Sequence, residues 1–77
     1  MKIIVYGTEQ CPWCKRAKDF LSSRGINFTE KDVGADLKAA EEMVKKSGQT
    51  GVPVIDANGT IMVGFDEDRL KEILRIK

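Results

Sequence analysis

Two cysteines separated by two residues, Cys11-Pro12-Trp13-Cys14, constrain this chain more than any other feature. They follow an apolar run, Ile3-Ile4-Val5-Tyr6, and a short turn, Gly7-Thr8-Glu9-Gln10. A stretch with helical spacing comes next, so the pair opens a helix. The first backbone N–H groups of a helix have no partner within it, and the helix dipole places roughly half a positive charge at that end. A thiolate at Cys11 is stabilised there, so this sulfur is expected to ionise more readily than a free thiol of pKa about 8.5. Pro12 suits the first helical position, where its missing N–H is not needed and its φ is already helical. Cys14 lies one turn further in on the same side, within reach for a disulfide. The motif reads as a device for making and breaking one S–S bond.

Two other uses of C-x-x-C compete with that one. A zinc site wants four ligands, commonly Cys, His or carboxylate. The chain has no histidine and no third cysteine, so one copy cannot complete a Cys/His site, and metal binding would need a cluster shared between two chains. A structural staple gains little, because closing so short a loop removes little entropy from the unfolded state. The redox use is favoured, C-x-x-C beside a strand–helix pattern being its named signal.

The remaining composition fits one small domain over residues 1–77. Thirteen basic residues face twelve acidic ones, for a net charge of +1, which argues against bulk attraction to nucleic acid or to anionic membranes. Two cysteines do not make a disulfide-rich secreted scaffold. The N-terminal apolar run is too short for a signal-peptide core or a bilayer span. A cytoplasmic protein is expected, in a compartment that keeps most dithiols reduced, so the C-x-x-C is expected to be catalytic.

Residues 2–6 are β-branched and continuously apolar, the pattern of a central strand covered on both faces. The first helix is expected over residues 12–24. Ala17, Phe20 and Leu21 form its buried stripe, and Gly25 stops it. Lys15, Arg16 and Lys18 point elsewhere: a solvated face is the favoured reading, help for the Cys11 thiolate or an anionic thiol substrate the other. Residues 26–33 alternate and fit an edge strand. A second helix follows from an Asp36 N-cap to Ser47, with Leu37, Ala40, Val44 and Met43 as its expected apolar side. Pro53 cannot donate to a sheet ladder and belongs at a strand start or edge. Asn58-Gly59 marks a hairpin between residues 54–56 and 60–63. Asp66 is expected to cap a last helix reaching about residue 76, with Phe65 and Leu70 at the spacing of a hydrophobic staple. The order β-α-β-α-β-β-α predicts a parallel first pair with a right-handed crossover, a final hairpin, and a four-stranded mixed sheet with helices on both faces.

Three features now coincide: C-P-W-C after the first strand, Gly51-Val52-Pro53 opening the third, and Gly64-Phe65-Asp66 before the last helix. Together they resemble the glutaredoxin-like proteins of the thioredoxin fold, over essentially the whole chain, and most of all the short bacterial and archaeal members. The resemblance implies a thiol–disulfide oxidoreductase with Cys11 as the attacking thiolate and Cys14 as the resolving thiol. It implies a cis Pro53 that presents the Val52 backbone to a bound thiol peptide, which then pairs like an added strand. It implies that Gly64, Phe65 and Asp66 form the far wall of the cleft, where Asp66 and the helix-start amides hold a glutathione moiety. Trp13 is expected half-exposed beside the sulfurs.

Thr8 stands where glutathione-using relatives commonly carry Lys or Arg. Gly51 takes the place of their threonine, and Phe65 that of a second glycine. The Gly-Phe pair is similar to redoxins reduced by thioredoxin reductase. The protein is expected to be a monomer with no bound cofactor, acting on disulfide-containing proteins or glutathione mixed disulfides. Its reductant is glutathione or a flavin-dependent thioredoxin reductase. The alternative is an iron–sulfur module in which two chains share a cluster through Cys11, which Pro12 disfavours by analogy.

Overall fold

The computed structural model describes residues 2–76. Seven elements follow one another: β1 (Ile3–Gly7), α1 (Pro12–Ser23), β2 (Thr29–Asp32), α2 (Leu37–Ser47), β3 (Val54–Ala57), β4 (Thr60–Val63) and α3 (Glu67–Leu74). The sheet runs β2-β1-β3-β4. β1 pairs parallel with β2 and antiparallel with β3, which pairs antiparallel with β4. The expected mixed four-stranded sheet is present, with the apolar β1 inside and the charged β2 at an edge.

Alternation along β1 builds two cores. Ile3 and Val5 face one side with Ile55, Ala57 and Met62, and there α1 supplies Ala17, Phe20 and Leu21 while α3 supplies Leu70 and Leu74. Ile4 and Tyr6 face the other side with Val54 and Met43 of α2. Side chains of a strand point alternately to opposite faces, so a strand apolar at every position needs a cover on both. Phe65 packs against the same cluster that holds Leu70, as the staple spacing requires.

The caps follow the sequence closely. Asp36 accepts the Lys38 and Ala39 amides, and Asp66 accepts the Arg69 amide. Such caps satisfy donors that the helix itself leaves unpaired. Gly48 ends α2 in the left-handed region at φ 74°, and Asn58-Gly59 turns the hairpin at φ 54° and 97°.

Two expectations need correction. β2 is confined to Thr29–Asp32, because Ile26 and Phe28 pack into the core before the strand pairing begins. On α2 the buried face is rotated from the expected one: Met43 lies on it as expected, but Leu37 and Val44 do not. Leu37 is 74% exposed and Val44 is 38% exposed, whereas Ala39 and Met43 are buried. The face turned to the sheet carries Ala39, Glu42, Met43 and Lys46, spaced i, i+3, i+4, i+7. Its two charged members are engaged. Tyr6 donates its hydroxyl to Glu42 Oε2 at 2.8 Å, and Lys31 Nζ donates to the same oxygen at 2.7 Å. Lys46 Nζ donates to Tyr6 Oη at 2.8 Å and to Asp56 Oδ2 at 2.7 Å. Counting apolar residues misplaces this helix because ion pairs over a buried tyrosine, not aliphatic side chains, fill half of its inner face.

Candidate active site

The turn after β1 delivers Cys11 to the mouth of α1. Cys11 is the N-cap residue with extended backbone (φ −93°, ψ 111°), and Pro12 begins the helix. The Cys14 backbone N–H donates to Cys11 Sγ at 3.1 Å. A sulfur thus does the work that a serine or aspartate oxygen does at other caps, and such a bond strengthens when the acceptor is charged. Cys11 is half-buried, Cys14 is fully buried, and both are free thiols.

Burial raises the Cys14 thiol pKa to about 11, and the hydrogen bond from its S–H to the Cys11 sulfur adds to the rise. A backbone hydrogen bond from Thr8 and the charge of Lys18 act the other way. Cys11 is thus reachable from solvent, while Cys14 behind it is enclosed and its thiol is pushed up. Lys18 itself pairs with Glu30 at 2.6 Å across to β2, which raises its pKa. Of the other two helix cations, Lys15 is exposed, and Arg16 lays its guanidinium over the Trp13 ring at 4.8 Å.

Trp13, which stands between the two cysteines in the chain, lines a cleft of about 230 Å³ together with Val52, Pro53, Gly64 and Phe65. The Val52-Pro53 peptide bond is cis. Gly64 donates its backbone N–H to the Pro53 carbonyl at 2.7 Å, tying the two walls together; at φ 83° it is left-handed, a conformation open to glycine. Phe65 sets its ring 5.9 Å from that of Phe20. Trp13 is 53% exposed. With Phe65 it borders a second, wider groove that runs between α1 and the start of α3. Asp66 is exposed at the cap, where Oδ1 accepts the Arg69 amide at 3.3 Å. The structure thus brings Trp13, Val52, Pro53, Gly64 and Phe65 into one cleft and leaves Asp66 at its far end in the wider groove. Among the described residues, no three His, Cys, Asp or Glu side chains gather as a metal site, and no helix is long and apolar enough to cross a membrane.

One contributor escaped the sequence reading. Gly7 registers there only as the start of the turn after the apolar run, yet a Cβ at that position would run into the Cys14 side chain. The available signal was a glycine at the end of a strand leading directly into a C-x-x-C turn.

A mixed sheet with this order, helices on both faces and a C-x-x-C at the first helix defines a protein of the thioredoxin fold. The glutaredoxin family model matches residues 3–62, and the chain belongs to the glutaredoxin family. It is 43% identical over 72 residues to an uncharacterized glutaredoxin-like 8.6 kDa protein in the rubredoxin operon of Clostridium pasteurianum, covering 94% of this chain and 96% of that one. It is 41% identical over 63 residues to glutaredoxin 3 of Escherichia coli, covering 82% of this chain and 76% of that one. The solved structure of the glutaredoxin-like protein NrdH-redoxin from Escherichia coli superposes with a TM-score of 0.81 at 28% identity, covering 100% of this chain and 96% of that one.

Proposed function

We propose that the protein is a dithiol–disulfide oxidoreductase that reduces disulfides of proteins, or mixed disulfides with glutathione, through Cys11 and Cys14. Cys11 as a thiolate attacks one sulfur of the substrate disulfide. The substrate S–S bond breaks, a Cys11–substrate disulfide forms, and the first leaving thiolate takes a proton from solvent. Cys14 loses its proton to solvent and attacks Cys11 Sγ. The second substrate sulfur leaves reduced, and the Cys11–Cys14 disulfide holds the oxidising equivalents. Glutathione or a flavin-dependent thioredoxin reductase then restores the dithiol.

One observation carries this reading: a half-buried sulfur capping a helix and accepting the backbone amide of a second cysteine, whose own thiol is buried and raised in pKa. Attack falls to the reachable thiol because exchange depends on access and on thiolate fraction. Family membership supports the chemistry in general. The cleft walls of Val52, Pro53 and Phe65 are apolar, which suits a polypeptide laid beside the dithiol. For the reductant, Thr8 and Phe65 weaken the case for a tight glutathione site, and NrdH-redoxin is described as having a thioredoxin-like activity profile.

The test is a pair of coupled assays. Oxidised protein is mixed with glutathione and glutathione reductase, or with thioredoxin reductase, and NADPH loss is followed. One arm should turn over. Cys11→Ser should abolish reduction of protein disulfides, and Cys14→Ser should accumulate mixed disulfides. An active Cys11→Ser variant contradicts the assignment.

A further inference from the structure

Gly7 ends β1 in ordinary strand geometry, paired in register with Asp32 of β2. It is not among the glycines with positive φ, so its backbone would accept any residue. A glycine weakens a strand interior and commonly marks a close approach of other atoms. The approaching atoms here belong to Cys14. A Cβ built on Gly7 would lie 2.7 Å from Cys14 Sγ and 2.9 Å from Cys14 Cβ. Both separations are shorter than carbon and sulfur tolerate without displacement. The next residue, Thr8, contributes a backbone hydrogen bond to the same sulfur. It also accepts the Cys11 amide on its carbonyl at 3.4 Å. The strand end is thus a seat: space at Gly7, a hydrogen bond at Thr8, and the partner sulfur in front.

We propose that Gly7 is a positioning residue for the resolving step, its missing side chain holding Cys14 Sγ where it can strike Cys11 from behind. The inference rests on the thiol-exchange reading of the same site. In the mixed disulfide, Cys14 must approach Cys11 Sγ along the line of the bond to the substrate sulfur. The new Cys11–Cys14 bond forms as the Cys11–substrate bond breaks, the substrate sulfur leaves as thiolate, and the Cys14 proton goes to solvent. A methyl at Gly7 would push Cys14 off that line. Misplacement of a reacting atom by about 1 Å costs on the order of a hundredfold in rate.

The experiment uses reduced protein and a bis(nitrobenzoate) disulfide, whose thiolate is coloured on release, in rapid mixing. The first release reports attack by Cys11, and the second reports resolution by Cys14. In Gly7→Ala the ratio of second to first release rate should fall at least about tenfold, and Cys14 should become open to alkylation in the folded protein. An unchanged ratio in a folded Gly7→Ala protein overturns the proposal. Cys14→Gly removes both atoms that the new methyl would meet, so a stability cycle adds an independent reading. The cost of Gly7→Ala should shrink in the Cys14→Gly background, and an equal cost in both backgrounds also overturns the proposal. Failure of the unaltered protein to release any thiolate would instead remove the underlying exchange reading, and is distinguishable from either result.

Discussion

Raising the pH on the fully reduced protein should destabilise it through Cys14, and the size of the effect follows from burial. Burial pushes the folded thiol up to about 11 from an unperturbed value of 9.0. The native state therefore holds this proton more tightly than the unfolded state does. A group with a raised folded pKa contributes stability that is fully present below the unfolded value and is lost as pH rises toward the folded one. The window is pH 9 to 11, and at pH 10 the accumulated loss is on the order of 1 kcal/mol. A chain of this length has roughly 4–12 kcal/mol in total, so the loss is measurable. Urea unfolding at pH 7 and pH 10, under strict reduction, gives the dependence for the protein and for Cys14→Ala. The alanine variant is weaker at both pH values for want of packing, but it lacks this titration. Tyr6, raised chiefly by burial, and Lys46, raised by its bonds to Asp56 and Tyr6, titrate in both proteins and cancel in the comparison. Identical pH dependence in the two would show that Cys14 is not held protonated by its surroundings. Cys14 would then not be an inner thiol that waits its turn.

Lys46→Met should lower stability by about 1–3 kcal/mol in denaturant unfolding, because Asp56 and the buried Tyr6 hydroxyl lose a partner together. Leu37→Ser should change stability by less than about 0.5 kcal/mol, while Ala39→Leu on the buried face should cost about 1–3 kcal/mol by overpacking; the reverse ranking would restore the apolar face expected from sequence. Acid should act through the same helix. Glu42 is held low by Lys31 and then Tyr6. Asp56 is pushed up by burial but pulled lower overall by Lys46 and the Gly59 amide. Groups with depressed folded pKa values give stability that is present above about pH 4 and lost below it. Glu42→Gln should accordingly flatten the acid limb of a thermal-midpoint profile between pH 5 and 2.

How far the chain could be read in advance varies with the range of the interactions involved. Cys11-Pro12-Trp13-Cys14, the Asp36 and Asp66 caps, the Asn58-Gly59 hairpin and the stripe Ala17, Phe20, Leu21 act over a few residues. Their outcome is set by local backbone geometry and by periodicity, and so it is visible in sequence. The inner face of α2 was not legible, because Glu42 and Lys46 turn inward only when Tyr6, Lys31 and Asp56 arrive from three separate strands. The contact of Gly7 with Cys14 was hidden for a related reason. The residues are seven apart, and only the tight turn between β1 and α1 folds one onto the other.

Sequence alone determined that a sulfur would cap the first helix with a second sulfur one turn behind, and that the strands would assemble into a mixed sheet. Tertiary structure alone decided which of the two sulfurs is enclosed, what encloses it, and which wall of α2 meets the sheet. Caps and turns are satisfied by neighbours along the chain, whereas burial and charge pairing depend on partners that only the folded sheet brings within reach.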